Sequence, residues 1–361
     1  MASDAEMWRS EIVSARLQMG DDALRLWGNS GTEVLLIVTR RPFWETVDEY
    51  PIPLDNSSAG GPSTSGVTIY NHDDANAGHD NWVAVAAADV VGNLPAPLRI
   101  TQQNSSGAAQ ATRRFWQANN AFHAPASFVH VYEGEAAAYA TSVAELNVNS
   151  NDSYGRVSWI SDSTHASNRF TFTIPATQLA YMGGDFFRVL CRFRSAPATT
   201  MEFQLHLKFT AADPTTSFWD GPRFRSNGRY LQDMGVVQLP PGIASTLHDD
   251  IGLVLSIAES GPSQAEIDFI QLTPAHSTRL LNQPAHQIDT STLVVNDGSV
   301  GRAYAIDGSV QWNIFDSYDS TLYVWPNRDQ RLIFLNDEEN NMLIARTWVV
   351  RAYYRPRRNS L

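Results

Sequence analysis

The sequence predicts an all-β protein, with a β-sandwich or jelly-roll module, a second β-domain and one short N-terminal helix. In residues 203–209, apolar side chains alternate with Gln, His and Lys, the period of a half-buried antiparallel strand. Many further short apolar runs are separated by Pro- and Gly-rich turns. The hydrophobic fraction of 43% is that of a packed globular protein. These observations together favour stacked antiparallel sheets.

The predicted helix lies at the start of the chain. Ser3 and Glu6 form a capping-box pattern, and Gly20 is a suitable C-terminal stop. Between them, apolar residues recur at helical spacing: Trp8, Ile12, Ala15 and Met19. Such a short amphipathic helix must pack on this chain's own sandwich or on a neighbouring subunit.

Beyond residue 20 the apolar period changes to two, and the strands fall into three segments. Residues 1–106 hold the helix and the first strands, residues 107–275 form a continuous jelly-roll β-sandwich, and residues 276–361 form a C-terminal β-domain. Two arrangements are open. The first and last segments either form separate domains or pair as one discontinuous domain, into which the jelly roll is inserted.

Charge and cysteine content restrict the partners and the compartment. The net charge of −12 argues against nucleic acid as a partner. Cys191 is the single cysteine, so no intrachain disulfide can form, and its strand pattern predicts burial. No signal peptide follows Met1 and no apolar run reaches the ~18 residues of a membrane span. We therefore expect a protein that folds in the cytoplasm and does not insert into membranes.

Catalytic motifs are missing from the sequence. There is no nucleophile elbow, phosphate-binding loop, HExxH or CxxC, which predicts that the protein is not an enzyme. A glycoside hydrolase that uses Glu133 and Asp268 stays an alternative, because two distant carboxylates can meet in a fold. The polar segment 72–80 is rich in His and Asp, and is either a metal-binding loop or an ordinary polar turn.

Three segments of the central module resemble carbohydrate-binding jelly rolls. Residues 131–137 (VYEGEAA) are similar to the opening strand of that family, residues 183–194 (GGDFFRVLCRFR) to its central strand, and residues 266–270 (EIDFI) to its closing strand. The resemblance implies a structural calcium ion held by carboxylates of the first and last strands. Those ligands are Glu133, Glu135 and Asp268.

The same resemblance implies a glycan-binding face, in which exposed aromatic rings stack on sugars. The candidates are Trp159, Trp219 and Tyr230, which lie in or beside predicted loops. The alternative for each ring is that it packs in the apolar core and does not contact a sugar.

The flanking segments resemble phage distal-tail and baseplate-hub proteins. Residues 38–44 (VTRRPFW) are similar to the strand that leaves their first β-domain, and residues 323–332 (YVWPNRDQRL) to a late turn. Asn327 stands where Gly is usual in that turn, which is tolerable because Asn also accepts the left-handed conformation. The resemblance implies a structural subunit of a phage tail or related virion, assembled in the host cytoplasm.

That subunit would form homo-oligomers and bind other particle subunits through β-edges and loops, with cell-surface glycan as a further partner. The alternatives are a free calcium-dependent carbohydrate-binding module and, second, a glycoside hydrolase.

Overall fold

We analysed the chain as a computed structural model. It describes residues 8–9, 12–19, 34–40, 43–57, 59–71, 80–109, 112–122, 130–138, 141–144, 153–162, 164–165, 168–209, 217–241, 250–283, 287–316, 321–337 and 347–359. Residues 72–79 of the polar segment, for which a metal-binding loop is one alternative, lie outside these residues.

Antiparallel strands make up most of the described chain, and one α-helix, α1 (Ala176–Met182), joins them. In chain order the strands are β1 (Trp8–Arg9), β2 (Ile12–Met19), β3 (Val34–Arg40), β4 (Trp44–Thr46), β5 (Tyr50–Pro51), β6 (Val67–Tyr70), β7 (Trp82–Val85), β8 (Ala96–Asn104), β9 (Arg114–Asn119), β10 (Val131–Glu133), β11 (Thr141–Ala144), β12 (Ser153–Trp159), β13 (Asn168–Ile174), β14 (Phe186–Phe193), β15 (Glu202–Phe209), β16 (Ser217–Arg225), β17 (Leu231–Gln238), β18 (Ile251–Ala258), β19 (Ser263–Pro274), β20 (Thr278–Asn282), β21 (Leu293–Asp297), β22 (Arg302–Asp307), β23 (Val310–Asp316), β24 (Tyr323–Val324), β25 (Gln330–Asp337), β26 (Thr347–Tyr354) and β27 (Arg357–Arg358). The predicted all-β fold is confirmed.

Two of the sheets form a β-sandwich. The middle sheet has the order β11-β12-β19-β14-β17, with β10 beside β19, and the outer sheet has the order β13-β18-β15-β16. Alternate residues of both sheets meet in one apolar core, which includes the fully buried Phe187, Phe203 and Ile257. The period-two pattern of β15 thus places one set of its side chains in this core and the other set on the outer face.

The large sheet has twelve strands and draws on both ends of the chain. Its order is β5-β26-β8-β21-β22-β23-β20-β9-β25-β7, with β24 beside β8 and β6 beside β26. Its strands supply a second apolar core, in which the edge of the Phe115 ring packs on Trp348 with ring centroids 5.4 Å apart. In chain order, the strands of the sandwich therefore lie between the two groups of strands that make up this large sheet.

The middle sheet lies between the outer sheet and part of the large sheet. Phe269 of the middle sheet and Trp116 of the large sheet belong to a third apolar cluster. Beside it, Asn81 donates a hydrogen bond to Gln271 (2.7 Å) and His130 Nε2 lies 2.8 Å from Asn81 Oδ1. Burial lowers the pKa of His130 to about 3. The His130 ring is therefore neutral and donates its Nε2 proton to Asn81 Oδ1. The joint between the middle sheet and the large sheet thus combines apolar packing with hydrogen bonds.

The predicted N-terminal helix is wrong. Residues 12–19 form strand β2, which pairs with β3, and the α-helix of the described chain is α1. The same residues also fit period two, because Ala15, Leu17 and Met19 alternate with polar residues. A partner strand rich in Val, Leu and Ile decides between the two periods, since it satisfies the backbone hydrogen bonds across the hairpin.

Two local predictions are confirmed. Asn327 adopts a left-handed conformation (φ 59°) at the turn before β25, where Asn is one of the residues that tolerate it. Cys191 is fully buried, and burial raises the pKa of its thiol well above the usual value. No helix in the described part of the chain is long and apolar enough to cross a membrane.

Candidate functional site

An aromatic groove opens at one end of the sandwich. It has a volume of about 520 Å³ and lies between the first residues of β14 and β16 and the last residues of β17. Phe186 is 49% exposed and Phe218 is 42% exposed, although both are large apolar residues. The groove is lined by Phe186, Phe218, Trp219, Val236, Gln238, Leu239, Pro240 and Pro241.

Trp219 is the predicted glycan-binding residue that reaches this groove. Its ring also packs against the sandwich core, and Gly221 provides the space, because a Cβ there would lie 2.6 Å from the Trp219 Cη2 atom. The neighbouring Phe218 ring stacks on Phe209 with 4.5 Å between centroids. Anchored rings with exposed edges and faces suit the stacking of a sugar ring or an apolar partner.

The other two predicted rings lie elsewhere. Trp159 is 9% exposed, belongs to the sandwich core, and has the Arg169 guanidinium 4.5 Å from its ring centroid. A sugar cannot stack on a ring that is covered in this way. Tyr230 lies in the turn before β17, at the opposite end of the sandwich from Trp219, and its carbonyl accepts a hydrogen bond from the Phe193 amide. The three rings therefore form no common surface.

The predicted calcium ligands come from neighbouring strands. Strand β10 pairs with β19, and the Gly134 amide donates to the Asp268 carbonyl (2.7 Å). The pairing of β14 with β19 is irregular at Asp268, whose carboxylate lies 3.5 Å from Arg192 Nε. Asp268 is fully buried, and one carboxylate oxygen each of Glu133 and Glu135 is shielded from solvent.

This arrangement does not fit the implied calcium ion well. Among the described residues, no group of three or more His, Cys, Asp or Glu side chains is placed to hold a metal ion. Arg192, itself 3% exposed, already supplies positive charge beside Asp268. We therefore base no part of the proposed function on calcium. Calcium binding stays a prediction from the resemblance.

A chain of polar side chains crosses the outer face of the outer sheet, with Ser256 at its centre. His206 Nε2 lies 2.8 Å from Ser256 Oγ, and His206 Nδ1 lies 2.6 Å from Asp220 Oδ1. On the other side, His165 Nδ1 lies 3.0 Å from the same Oγ, and its Nε2 lies 2.9 Å from Glu202 Oε1. We call these five residues the histidine chain.

Half of the histidine chain has the order of a hydrolytic triad: carboxylate, imidazole and serine. Ser256, however, is fully buried between the two rings, so a substrate carbonyl cannot reach its hydroxyl. The hydrogen bond from His206 lowers the pKa of Asp220, which keeps that carboxylate ionised. We therefore infer that the histidine chain attaches neighbouring segments of the protein to each other, and we do not assign Ser256 the role of a nucleophile.

Most of the histidine chain could not be predicted from the amino-acid sequence, for a physical reason. The period of β15 places Glu202 and His206 on one face, and this part could have been found from the alternation. The contact of His206 with Ser256 depends on the pairing of β15 with β18, and the contacts of His165 depend on its position beside that sheet, neither of which a local pattern records.

Comparisons with known proteins give no identity for this chain. No protein-family model matches it, and a search of curated proteins found no match. The function must therefore be argued from the fold and from the surfaces described above.

Proposed function

We propose that this chain is a structural subunit of a phage tail or related particle and that it assembles with further copies of itself. The observation that carries the proposal is the ribbon formed by β2 and β3. Among the described strands, these two pair only with each other, in a two-stranded sheet. An isolated two-stranded hairpin is marginally stable in water, so the ribbon needs a surface to pack on.

The register of the ribbon indicates what that surface is like. Directly opposite residues of an antiparallel pair share one face of the sheet. The pairs Ala15 with Val38, Leu17 with Leu36, and Met19 with Val34 fall on one face by register, and all six residues are apolar. A wholly apolar ribbon face is suited to burial against another subunit. The resemblance of residues 38–44 to distal-tail proteins gives the particle in which such burial would occur.

The test is the oligomeric state of the full chain. We expect the wild type to be a homo-oligomer by size-exclusion chromatography with light scattering, and the double variant Leu17→Asp, Leu36→Asp to be monomeric. Two buried carboxylates without partners would cost several kcal/mol in the assembled state. The matched control is Gln18→Glu on the opposite face, which should leave the oligomer intact.

Circular dichroism should show unchanged strand content in these variants. A wild type that stays monomeric at high concentration would contradict the assembly proposal, as would a double variant that assembles normally.

A second function, glycan binding, is favoured by the aromatic groove. Its exposed Phe186 and Phe218 rings and the anchored Trp219 ring are suited to stacking on the apolar face of a sugar, and Gln238 adds a polar group. The groove is formed by the sandwich strands β14, β16 and β17, none of which belongs to the β2–β3 ribbon. One subunit could therefore both assemble and bind a surface glycan.

The glycan prediction is tested on a glycan array, with affinities then measured by calorimetry. We expect Trp219→Ala to weaken binding about fivefold, since stacking of one ring contributes on the order of 1 kcal/mol. Tyr230→Ala, at the far end of the sandwich, is the control and should bind as the wild type does. Repeating the array with a calcium chelator separates calcium-dependent from calcium-independent binding. An array without any bound glycan would contradict this second function.

A further inference from the structure

The histidine chain contains four contacts, and each requires one donated proton. Asp220 and Glu202 donate none when they are ionised. With both imidazoles neutral, three protons are present: one on each ring and one on the Ser256 hydroxyl. If each ring donates to its carboxylate, both nitrogens that face Ser256 are acceptors. One hydroxyl proton cannot serve both nitrogens, so one contact is unmade.

A second proton on one imidazole removes this shortage. The charged ring then donates both to its carboxylate and to Ser256 Oγ, and the hydroxyl donates to the other ring. The hydroxyl also lies 3.3 Å from the Gln204 carbonyl oxygen. If it donates there, both rings must donate to Oγ, which requires a further proton. With all of its contacts made, the histidine chain thus holds at least one more proton than two neutral imidazoles and the Ser256 hydroxyl supply.

The backbone at His165 shows what the chain holds in place. His165 has a φ of 58°, in the left-handed region that is unfavourable for a residue with a side chain. It lies on the segment that links β12 of the middle sheet to β13 of the outer sheet. Its side chain is only 1% exposed. The contacts with Ser256 and Glu202 therefore hold His165, the residue with the strained backbone, against the outer sheet.

Other charged groups surround the histidine chain. Arg223 Nη1 lies 3.9 Å from Glu202 Oε1, and Lys208 helps to lower the pKa of Asp220. Further described neighbours are Arg225 opposite Glu202 on β16, Glu259 beyond β18, and the ion pair (2.8 Å) between Asp162 of the linking segment and Arg169 of β13. Imidazole is the side-chain type that can take up a second proton near neutral pH, so the extra proton of the complete histidine chain belongs to one of its two rings.

We propose that the histidine chain is a proton-operated clamp, which fastens the segment between β12 and β13 to the outer sheet in mildly acidic solution and loosens it as the pH rises. The fastened state binds at least one more proton than the loosened state. By linkage, the state that binds more protons is favoured as the pH falls and disfavoured as the pH rises. This inference does not depend on the proposed function.

Hydrogen–deuterium exchange of the full chain tests the clamp. After correction for intrinsic rates, peptides that span residues 160–165 should be about fivefold better protected at pH 5.5 than at pH 8.0, the effect of one hydrogen bond. His165→Asn removes the imidazole but tolerates the left-handed backbone, so we expect it to lose the pH dependence. His276→Gln is the control, because His276 lies outside the chain, and it should keep the pH dependence.

Ser256→Ala provides a second route to the same result, since it removes the group shared by both rings. Equal protection of the wild-type segment at the two pH values would overturn the clamp, and this measurement does not depend on any variant. The clamp is also overturned if His165→Asn and Ser256→Ala keep the wild-type pH dependence. Peptides from β14 report the global stability at each pH and must be compared first.

Discussion

Gly134→Ala should destabilise the protein by about 3 kcal/mol, a large effect for a single methyl group. A Cβ at this position would lie 1.9 Å from the Ile267 carbonyl oxygen and 2.9 Å from the Asp268 carbonyl oxygen. Both are backbone atoms inside the middle sheet, so no side-chain rotation can make room. Strand β10 would have to move away from β19 and lose the hydrogen bond between Gly134 and Asp268.

The measurement is chemical denaturation of Gly134→Ala beside Gly261→Ala. Nothing lies within 4 Å of a Cβ built at Gly261, so that control should change the unfolding free energy by less than about 0.5 kcal/mol. Equal stabilities of the two variants would show that β10 does not pack on β19 as described. Gly134 stands between Glu133 and Glu135, so the result also tests how closely those residues approach β19.

Asp337→Ala should destabilise the joint between the large and middle sheets by about 3 to 5 kcal/mol. The Asp337 side chain is fully buried, and its Oδ2 atom accepts hydrogen bonds from Arg114 (2.7 Å) and Arg229 (3.1 Å). Arg114 also donates to the Leu231 carbonyl (3.0 Å), so it bridges the large sheet and the middle sheet. Without the carboxylate, two guanidinium groups lose their counter-charge in a largely buried place.

Calorimetry of Asp337→Ala should show a lower melting temperature and separate transitions for the sandwich and the large sheet. Arg9→Ala is the control: Arg9 pairs with Glu45 (3.0 Å) and is half exposed, and such pairs contribute up to about 1 kcal/mol. A single transition at the wild-type temperature in Asp337→Ala would contradict this description of the joint.

Local alternation predicted much of the fold, and the reasons are visible in particular strands. Residues 203–209 alternate cleanly because one face of β15 is in the core and the other faces outward. Residues 12–19 satisfy the helical period and the strand period equally, so local sequence could not decide between them. Pairing with β3 decided, through hydrogen bonds to residues more than ten positions away.

Contacts between residues distant in sequence also decided which aromatic side chains are exposed. An aromatic residue beside a predicted loop is equally consistent with a core and with a groove, and the packing of the sheets separates Trp159, which is covered, from Trp219, which reaches the groove. The all-β class, the acidic charge and the burial of the single cysteine could all be predicted from the amino acids, because alternation, charge and composition are local or summed properties. The pairing of the strands, the joint at Asp337 and the histidine chain around Ser256 could be seen only in the folded chain, because they depend on contacts between residues distant in sequence.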